Sequence, residues 1–518
     1  MVTPRSIAGL LDDAAADHPE RPLLRDMSGA VLTVGEVAAL TRAGTRWLRS
    51  AGVRPGMTVA WQLPPDVPAA LLMLALARAD VTQAPIIHIY RQREVSAAVA
   101  VAAADVLLVD QSTAANATGA QAITLPADFV DLLRALPAEP DPELADERAP
   151  HDPRWVYFTS GTTGRPKGVR HSDATLLAAA NGFTAHLRLG EYPDEVGTIS
   201  FPIAHIGGMV YLACALIADY PLVLIPKFAP AELPALLAEH RVTVTGGGSV
   251  VYQMLVSAQL GSGSREPLVP SLRMLIGGGA PCPPQLHRQV RDHLGIPVVH
   301  AYGMTEAAMI CVSRVDDTDE QQINSSGSPI AGSAVRVARY SPDGTRTLLP
   351  TGEAGEVELS GANVTAGYLN ADQWAAAVTG DGWVRTGDRG YLRADGRIVI
   401  TGRGKDLIIR KGENVAPVEI ENELLGHPLV DEVAVLGQPD DERGELVCAV
   451  VRRSPRHREV TLSELCAFLN ERGLMKQKWP ERLVVVDEFP LTGLGKVNKT
   501  ELGRRIAGAY ADAAGRTP

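Results

Sequence analysis

Tyr157-Phe158-Thr159-Ser160-Gly161-Thr162-Thr163-Gly164-Arg165-Pro166-Lys167-Gly168-Val169 joins two short apolar runs through glycines, hydroxyls and a lysine. Glycines let the backbone turn its N–H groups inward, serine and threonine hydroxyls add donors, and Lys167 adds charge, so the segment can cradle a polyphosphate. It is not a Walker A loop, because no Gly-Lys-Ser/Thr follows at the required spacing. By composition alone the string also fits an ordinary surface loop; its residue order is the specific part.

Outward from this loop the chain has an α/β rhythm. Helix-like segments at 34–51 and 67–79 alternate with short apolar runs at 57–63 and 105–109, the pattern of parallel βαβ layers. The rhythm returns in β-branched or apolar runs at 222–226, 242–245, 274–276 and 298–300. After about residue 328 the texture changes to short alternating strands with turn signals such as Pro342-Asp343-Gly344 and Ala394-Asp395-Gly396, which predicts a β-rich subdomain. Beyond the glycine-flanked, charged segment 402–406, strand-like 432–436 and 447–451 alternate with helical 418–425 and 462–471. The expected architecture is α/β. A large N-terminal domain, 1–404, carries layered α/β subdomains and the β-rich subdomain, and a small α+β domain, 405–518, follows.

Composition sets limits on function. A chain of 518 residues exceeds what one hydrophobic core organises, and 46% hydrophobic with 21% charged residues is the balance of a folded protein. The net charge of -11 repels phosphate backbones, and the only basic cluster is the short one at 452–458, so no nucleic-acid partner is expected. Five cysteines, an odd number without a CxxC pair, suit a reducing compartment. The longest apolar stretches, 67–77 and 207–218, are too short to span a bilayer, and the N-terminus shows no secretory signal. The expectation is a soluble cytoplasmic protein, with a homodimer left open.

Further motifs follow the first in order: Ala301-Tyr302-Gly303-Met304-Thr305-Glu306, Gly355-Glu356-Val357, Gly367-Tyr368-Leu369-Asn370, Trp383-Val384-Arg385-Thr386-Gly387-Asp388, Gly402-Arg403-Gly404-Lys405-Asp406 and Gly495-Lys496. With the loop at 157–169 they closely resemble the adenylate-forming superfamily of acyl-CoA synthetases, firefly-type luciferases and peptide-synthetase adenylation domains, over nearly the whole chain. The resemblance implies ATP, Mg²⁺ and CoA, and a two-step reaction in which a carboxylate attacks the α-phosphorus of ATP and a thiol then takes the acyl group.

It also implies site residues. Thr159, Ser160, Gly161, Thr162, Thr163, Gly164 and Lys167 would hold phosphates. Thr305 would contact the α-phosphate and Glu306 the Mg²⁺, though an isolated Thr-Glu pair reads as a helix cap. Gly278, Gly279, Ala280 and Pro281 with Tyr302 would seat the adenine, Gly303 would also bind the nucleotide, and Asp388 would accept the ribose hydroxyls. Arg403 would reach ribose or phosphate. Lys496 would be the mobile lysine of adenylation, Lys405 the hinge, and the Lys411-Gly412-Glu413 turn would face pantetheine. Many relatives carry a basic residue where Gly404 stands, a departure that bears on hinge stiffness.

Phe201-Pro202-Ile203-Ala204-His205-Ile206-Gly207-Gly208-Met209 matches the floor of the acyl pocket, with His205 as a gate. Ile206 and Gly207, the opposite Gly247 and Gly248, and Gly278 and Met304 complete the expected lining. No aspartate stands in this floor to pair with a substrate ammonium, which argues against α-amino acids. The glycines at 246–248 leave room for a ring or a bulky chain. Segments 89–95 and 475–483 resemble bacterial ligases of alicyclic, aromatic or medium-chain acids. CoA, a carrier-protein thiol, an amine, or nitrite activation for diazotisation all remain open. A catalytically dead nucleotide-binding protein is disfavoured by the presence of Lys167, Glu306, Asp388, Arg403 and Lys496.

Overall fold

The computed structural model describes residues 6–145, 147–159, 166–227, 229–278, 282–341, 343–410, 413–440, 444–454, 458–492 and 496–514. The apolar runs of the first three hundred residues sort into two sheets. One has six strands, ordered Gln121–Thr124, Val106–Val109, Thr58–Gln62, Thr82–Pro85, Trp155–Thr159 and Lys167–His171, all parallel except the final hairpin. The other has nine strands. Its centre runs parallel through Val298–Met304, Met274–Gly278, Val244–Gly247, Gly197–Ile199, Leu222–Leu224 and Pro22–Arg25, and antiparallel strands, including Ala307–Val312, close its edges.

The helices Val34–Ser50, Val67–Ala77, Asp173–Leu187 and Ile206–Ala218 share one core with side chains from both sheets. That position explains the two apolar stretches of the sequence. Val67–Ala77 and Ile206–Ala218 bury nearly every residue, as helices with apolar side chains all round do when neighbours cover every face. Asp66 caps the first, accepting a 2.9 Å hydrogen bond from the Ala69 amide. No helix among the described residues is long and apolar enough to cross a membrane.

The texture change after residue 328 is a five-stranded antiparallel sheet, which includes Ser333–Tyr340, Gly355–Gly361, Val384–Leu392 and Ile398–Arg403. Beyond the short 3-10 turn Gly404–Asp406, the chain builds its own sheet from Ile408–Arg410, Glu413–Val415, Val433–Asp440, Gly444–Arg452 and Arg482–Val486. Pro417–Leu424 and Leu462–Glu471 cover one face of that sheet.

His171, His287 and His300 are among the histidines of the packed interior. Burial depresses their pKa values to about 4, about 3 and about 4. In the unfolded chain each titrates near ~6.5. Between those values the unfolded chain binds protons that the fold excludes, so their contribution to stability is complete above about pH 6.5 and is lost as pH falls through ~4. Calorimetry at pH 7 and pH 5 should show a lower Tm at pH 5; a Tm flat across that interval would contradict the neutral burial of these rings.

Candidate active site

The site forms where loops at the carboxyl ends of the six-stranded sheet meet the edge of the nine-stranded one, the usual place for ligands on open α/β sheets. A cleft there is lined by Ile87, Tyr90, Phe158, Ala204, His205 and Thr305.

In the final hairpin of the six-stranded sheet, Thr159 and Lys167 stand directly opposite. The segment 366–369 is zipped onto the second strand of that hairpin. Ala366 N donates to Arg170 O at 2.9 Å, Arg170 N to Gly367 O at 2.8 Å, and Leu369 N to Gly168 O at 2.8 Å. This places the Tyr368 ring under Lys167, with Nζ 4.9 Å from the centroid. The Tyr368 hydroxyl donates to Glu306 Oε1 at 2.6 Å. Burial, followed by the Glu306 charge, pushes the Tyr368 phenol far above its ordinary range, so it stays a donor.

Glu306 is buried, and its Oε2 accepts no bond among the described residues. Thr305 and Glu306 occupy the turn between Val298–Met304 and Ala307–Val312 and do not cap a helix. His171 holds that turn. Neutral at its depressed pKa, it donates from Nε2 to Thr305 O at 2.7 Å. A lone hard carboxylate suits Mg²⁺, which takes one or two protein carboxylates and completes its octahedron with phosphate oxygens and water. No group of three or more His, Cys, Asp or Glu able to hold a metal occurs among the described residues.

A second cluster centres on Asp388: the Tyr302 hydroxyl donates to Asp388 Oδ2 at 2.8 Å, and Arg403 Nε donates to Asp388 Oδ1 at 3.2 Å. Asp388 and Arg403 are register partners on adjacent strands. Burial raises the Asp388 carboxyl, and the Arg403 guanidinium opposes that rise. Gly387, at a φ of 72°, adopts a backbone open mainly to glycine where the pairing of Val384–Leu392 slips.

Lys496 joins the two halves. Burial lowers its ammonium pKa, Arg403 lowers it further and Asp388 opposes them, so the lysine lies within electrostatic reach of Asp388 and Arg403. The same lysine acts on His205, which burial and the Lys496 charge depress to about 4. His205 is the N-cap of Ile206–Ala218, and its Nδ1 accepts from Gly207 N at 3.2 Å, which leaves the proton on Nε2.

Of the residues expected to line an acyl pocket, His205 and Ile206 line the cleft. The room expected over the glycines at 246–248 is partly taken by side chains from elsewhere. A Cβ at Gly246 would lie 2.8 Å from the Tyr211 ring, and one at Gly277 would fall 1.5 Å from the Tyr252 hydroxyl. Space beside Gly248 is open, and a Cβ at Gly278 would meet Ala301 O at 2.5 Å. At Gly303 it would meet Ala308 O at 2.1 Å, so the motif next to Met304 requires glycine.

The expectations for Ser160, Gly161, Thr162, Thr163, Gly164, Gly279, Ala280, Pro281, Lys411 and Gly412 fall outside the described residues. Lys405 lies in the turn Gly404–Asp406 and Glu413 in the strand Glu413–Val415. Sequence reasoning assigned no role to His171, Tyr368, Tyr211 or Tyr252. Tyr368 stood inside a quoted motif, whereas nothing in the sequence around Tyr252 marks it.

Residues 11–369 match the family described as AMP-binding enzyme, and residues 419–496 match the AMP-binding enzyme C-terminal domain. The chain is 36% identical to 2-succinylbenzoate–CoA ligase of Bacillus pumilus, over 67% of this chain and 68% of that protein. It is 34% identical to feruloyl-CoA synthase of an Amycolatopsis species, over 92% of this chain and 94% of that one. The crystal structure of ATP-bound MatB from Rhodopseudomonas palustris superposes with a TM-score of 0.85 at 29% identity, covering 96% of this chain and 98% of that one. With both parts of the family matched in order, the chain belongs to the AMP-binding enzymes, as an ATP-, Mg²⁺- and CoA-dependent acid–CoA ligase of the adenylate-forming kind.

Proposed function

We propose that this ligase activates a cyclic, aryl or medium-chain carboxylic acid as its adenylate and passes the acyl group to the thiol of CoA. The observation that carries this reading is Lys496, set within electrostatic reach of His205 at the mouth of the acid pocket and of Asp388 and Arg403 at the nucleoside. A cation in that position sees both reactants of the first step. The acid's carboxylate oxygen bonds to the α-phosphorus, the bond to the β-phosphate oxygen breaks, and pyrophosphate leaves.

In this reading Lys167 and Lys496 offset the charge that builds on the phosphates, and neutral His205 can offer its Nε2 proton to the acid's carboxylate. Asp388 accepts the ribose hydroxyls, Tyr302 faces the adenine, and Thr305 meets the α-phosphate. Glu306, oriented by Tyr368, would hold Mg²⁺, which when bound screens the repulsion between phosphate oxygens and the incoming carboxylate. In the second step the CoA sulfur bonds to the acyl carbon and AMP departs with the electron pair. Residues 405–518 pivot at Lys405 between the steps, withdrawing Lys496. An aryl acid is also named in feruloyl-CoA synthase and 2-succinylbenzoate–CoA ligase, and no aspartate in the floor 201–209 awaits an ammonium.

The test is pyrophosphate release with ATP and Mg²⁺ over a panel of cyclic, aryl, medium-chain and amino acids, with and without CoA, and mass spectrometry of the products. Acyl-CoA from a cyclic, aryl or medium-chain acid is expected. Adenylate that accumulates untouched by CoA would transfer the assignment to a carrier-protein thiol or an amine.

A further inference from the structure

We infer that Gln62 is a positioning residue of this enzyme: its buried side-chain amide gathers the carbonyls of residues 87–90 and so holds the part of the cleft wall formed by Ile87 and Tyr90, which sets how well the acid is bound. This rests on the acid-activating reading above and adds to it a residue that lies behind the cleft.

Ile87 and Tyr90 line the cleft together with His205, Ile206 and Thr305, yet they belong to a segment outside the strands. Thr82–Pro85 pairs with Thr58–Gln62 as far as Pro85 opposite Trp61, and one further bond, from Ile86 N to Trp61 O at 2.8 Å, continues the pairing past the strand. Beyond it the chain turns, with Tyr90 N donating to Ile87 O at 3.0 Å, and the helix Gln92–Ala102 follows. Backbone that has left its sheet needs partners for its polar groups from elsewhere.

Gln62 supplies them. It is the last residue of its strand and is fully buried. Its Nε2 lies 3.1 Å from Ile87 O, 3.2 Å from His88 O and 2.8 Å from Tyr90 O, so two amide hydrogens serve three carbonyl oxygens. The reverse orientation of the amide would set its oxygen against all three, which fixes the atom that faces the segment. The cost falls on the other atom: Gln62 Oε1 is buried and has no partner among the described residues. A side chain kept only to fill this space would be apolar, because an unsatisfied buried acceptor costs free energy.

The anchor is itself held. Gln62 pairs with Val109 in the sheet, and its carbonyl accepts from Thr113 Oγ1 at 2.7 Å. From the 3-10 turn Ala114–Asn116, Asn116 Nδ2 donates a second bond to Tyr90 O at 3.1 Å. Two neutral amides thus converge on the backbone of a residue whose side chain lines the cleft. The bonds they make do not include Asp388, Tyr302 or Arg403, so loosening this segment should weaken the acid's site and spare the nucleotide's.

The experiment measures KM for the acid and KM for ATP in ATP–pyrophosphate exchange, in the wild type, Gln62→Met and Asn116→Ala. The acid is whichever of benzoate, cyclohexanecarboxylate and octanoate the wild type turns over fastest. Gln62→Met keeps the length of the side chain and removes the donor. It should raise the acid's KM about 10-fold, the scale of a lost buried hydrogen bond, while KM for ATP stays within about twofold. Hydrogen exchange followed by mass spectrometry should show faster exchange in peptide 86–91 and none in the hairpin Lys167–His171. Asn116→Ala, at a half-buried position, should move the acid's KM in the same direction by about threefold, and it decides the matter if Gln62→Met fails to fold. An unchanged acid KM in the folded variants, or an equal rise in both KM values, overturns the inference while leaving the ligase reading intact. Failure of the wild type to release pyrophosphate with any carboxylic acid overturns both.

Discussion

Replacing Lys496 with alanine is expected to slow ATP–pyrophosphate exchange by about 10²- to 10³-fold, the usual effect of removing one preorganised donor from a developing anion. The loss should fall mainly on kcat, because the hydrogen bonds that join Tyr302 and Arg403 to Asp388 do not include the lysine. Thioester formation from a presynthesised acyl-adenylate should be spared, since that step starts after the pyrophosphate has gone. The pH profile offers a second check. Burial and Arg403 lower the Lys496 pKa, so the wild type should lose adenylation on the alkaline side earlier than an ordinary lysine would dictate, while the alanine variant should show no such limb. Exchange at the wild-type rate in the variant would remove Lys496 from the chemistry.

Glu306→Gln should reduce the same exchange by about 100-fold and shift its Mg²⁺ dependence to higher concentration. The amide keeps the size of the side chain and can still accept from the Tyr368 hydroxyl, which isolates the effect of charge. Titrating Mg²⁺ at saturating ATP separates the two ways this can fail. An unchanged Mg²⁺ midpoint with lowered kcat would make Glu306 an electrostatic residue without a metal role, and an unchanged rate would dismiss it altogether.

Much of the fold was legible because hydrophobic period is a local property. The strand runs at 57–63, 105–109, 274–276 and 447–451 and the helices at 34–51, 67–79 and 462–471 correspond closely to observed elements. Period could not report partners. That 366–369 pairs with Lys167–His171, or that Ala307–Val312 turns back antiparallel on its neighbour, depends on contacts between distant segments. The site shows the same division. Motif order singled out Lys167, Glu306, Asp388, Arg403 and Lys496 as candidates, whereas the bond from Tyr368 to Glu306 and the support of Thr305 by His171 follow only from tertiary packing. The acyl pocket was the least legible part. Glycines in a sequence mark an absence of side chain, and whether that absence stays open is decided by Tyr211 and Tyr252, which belong to other elements.

The clamp of Lys167, Tyr368 and Glu306 has a consequence in time. Its members come from three stretches of chain, and the bond from Tyr368 to Glu306 spans 62 residues while the neighbouring contact from Arg170 to Ala366 spans 196. As the polypeptide leaves the ribosome, all six strands of the first sheet are present once residue 171 has emerged, but the clamp waits for residue 368, and Lys496 follows later still. Ordering such distant segments carries a loop-closure cost that local helices do not. A fragment that ends before residue 368 therefore lacks both the Tyr368 bond to Glu306 and the pairing of 366–369 with the hairpin at Lys167–His171.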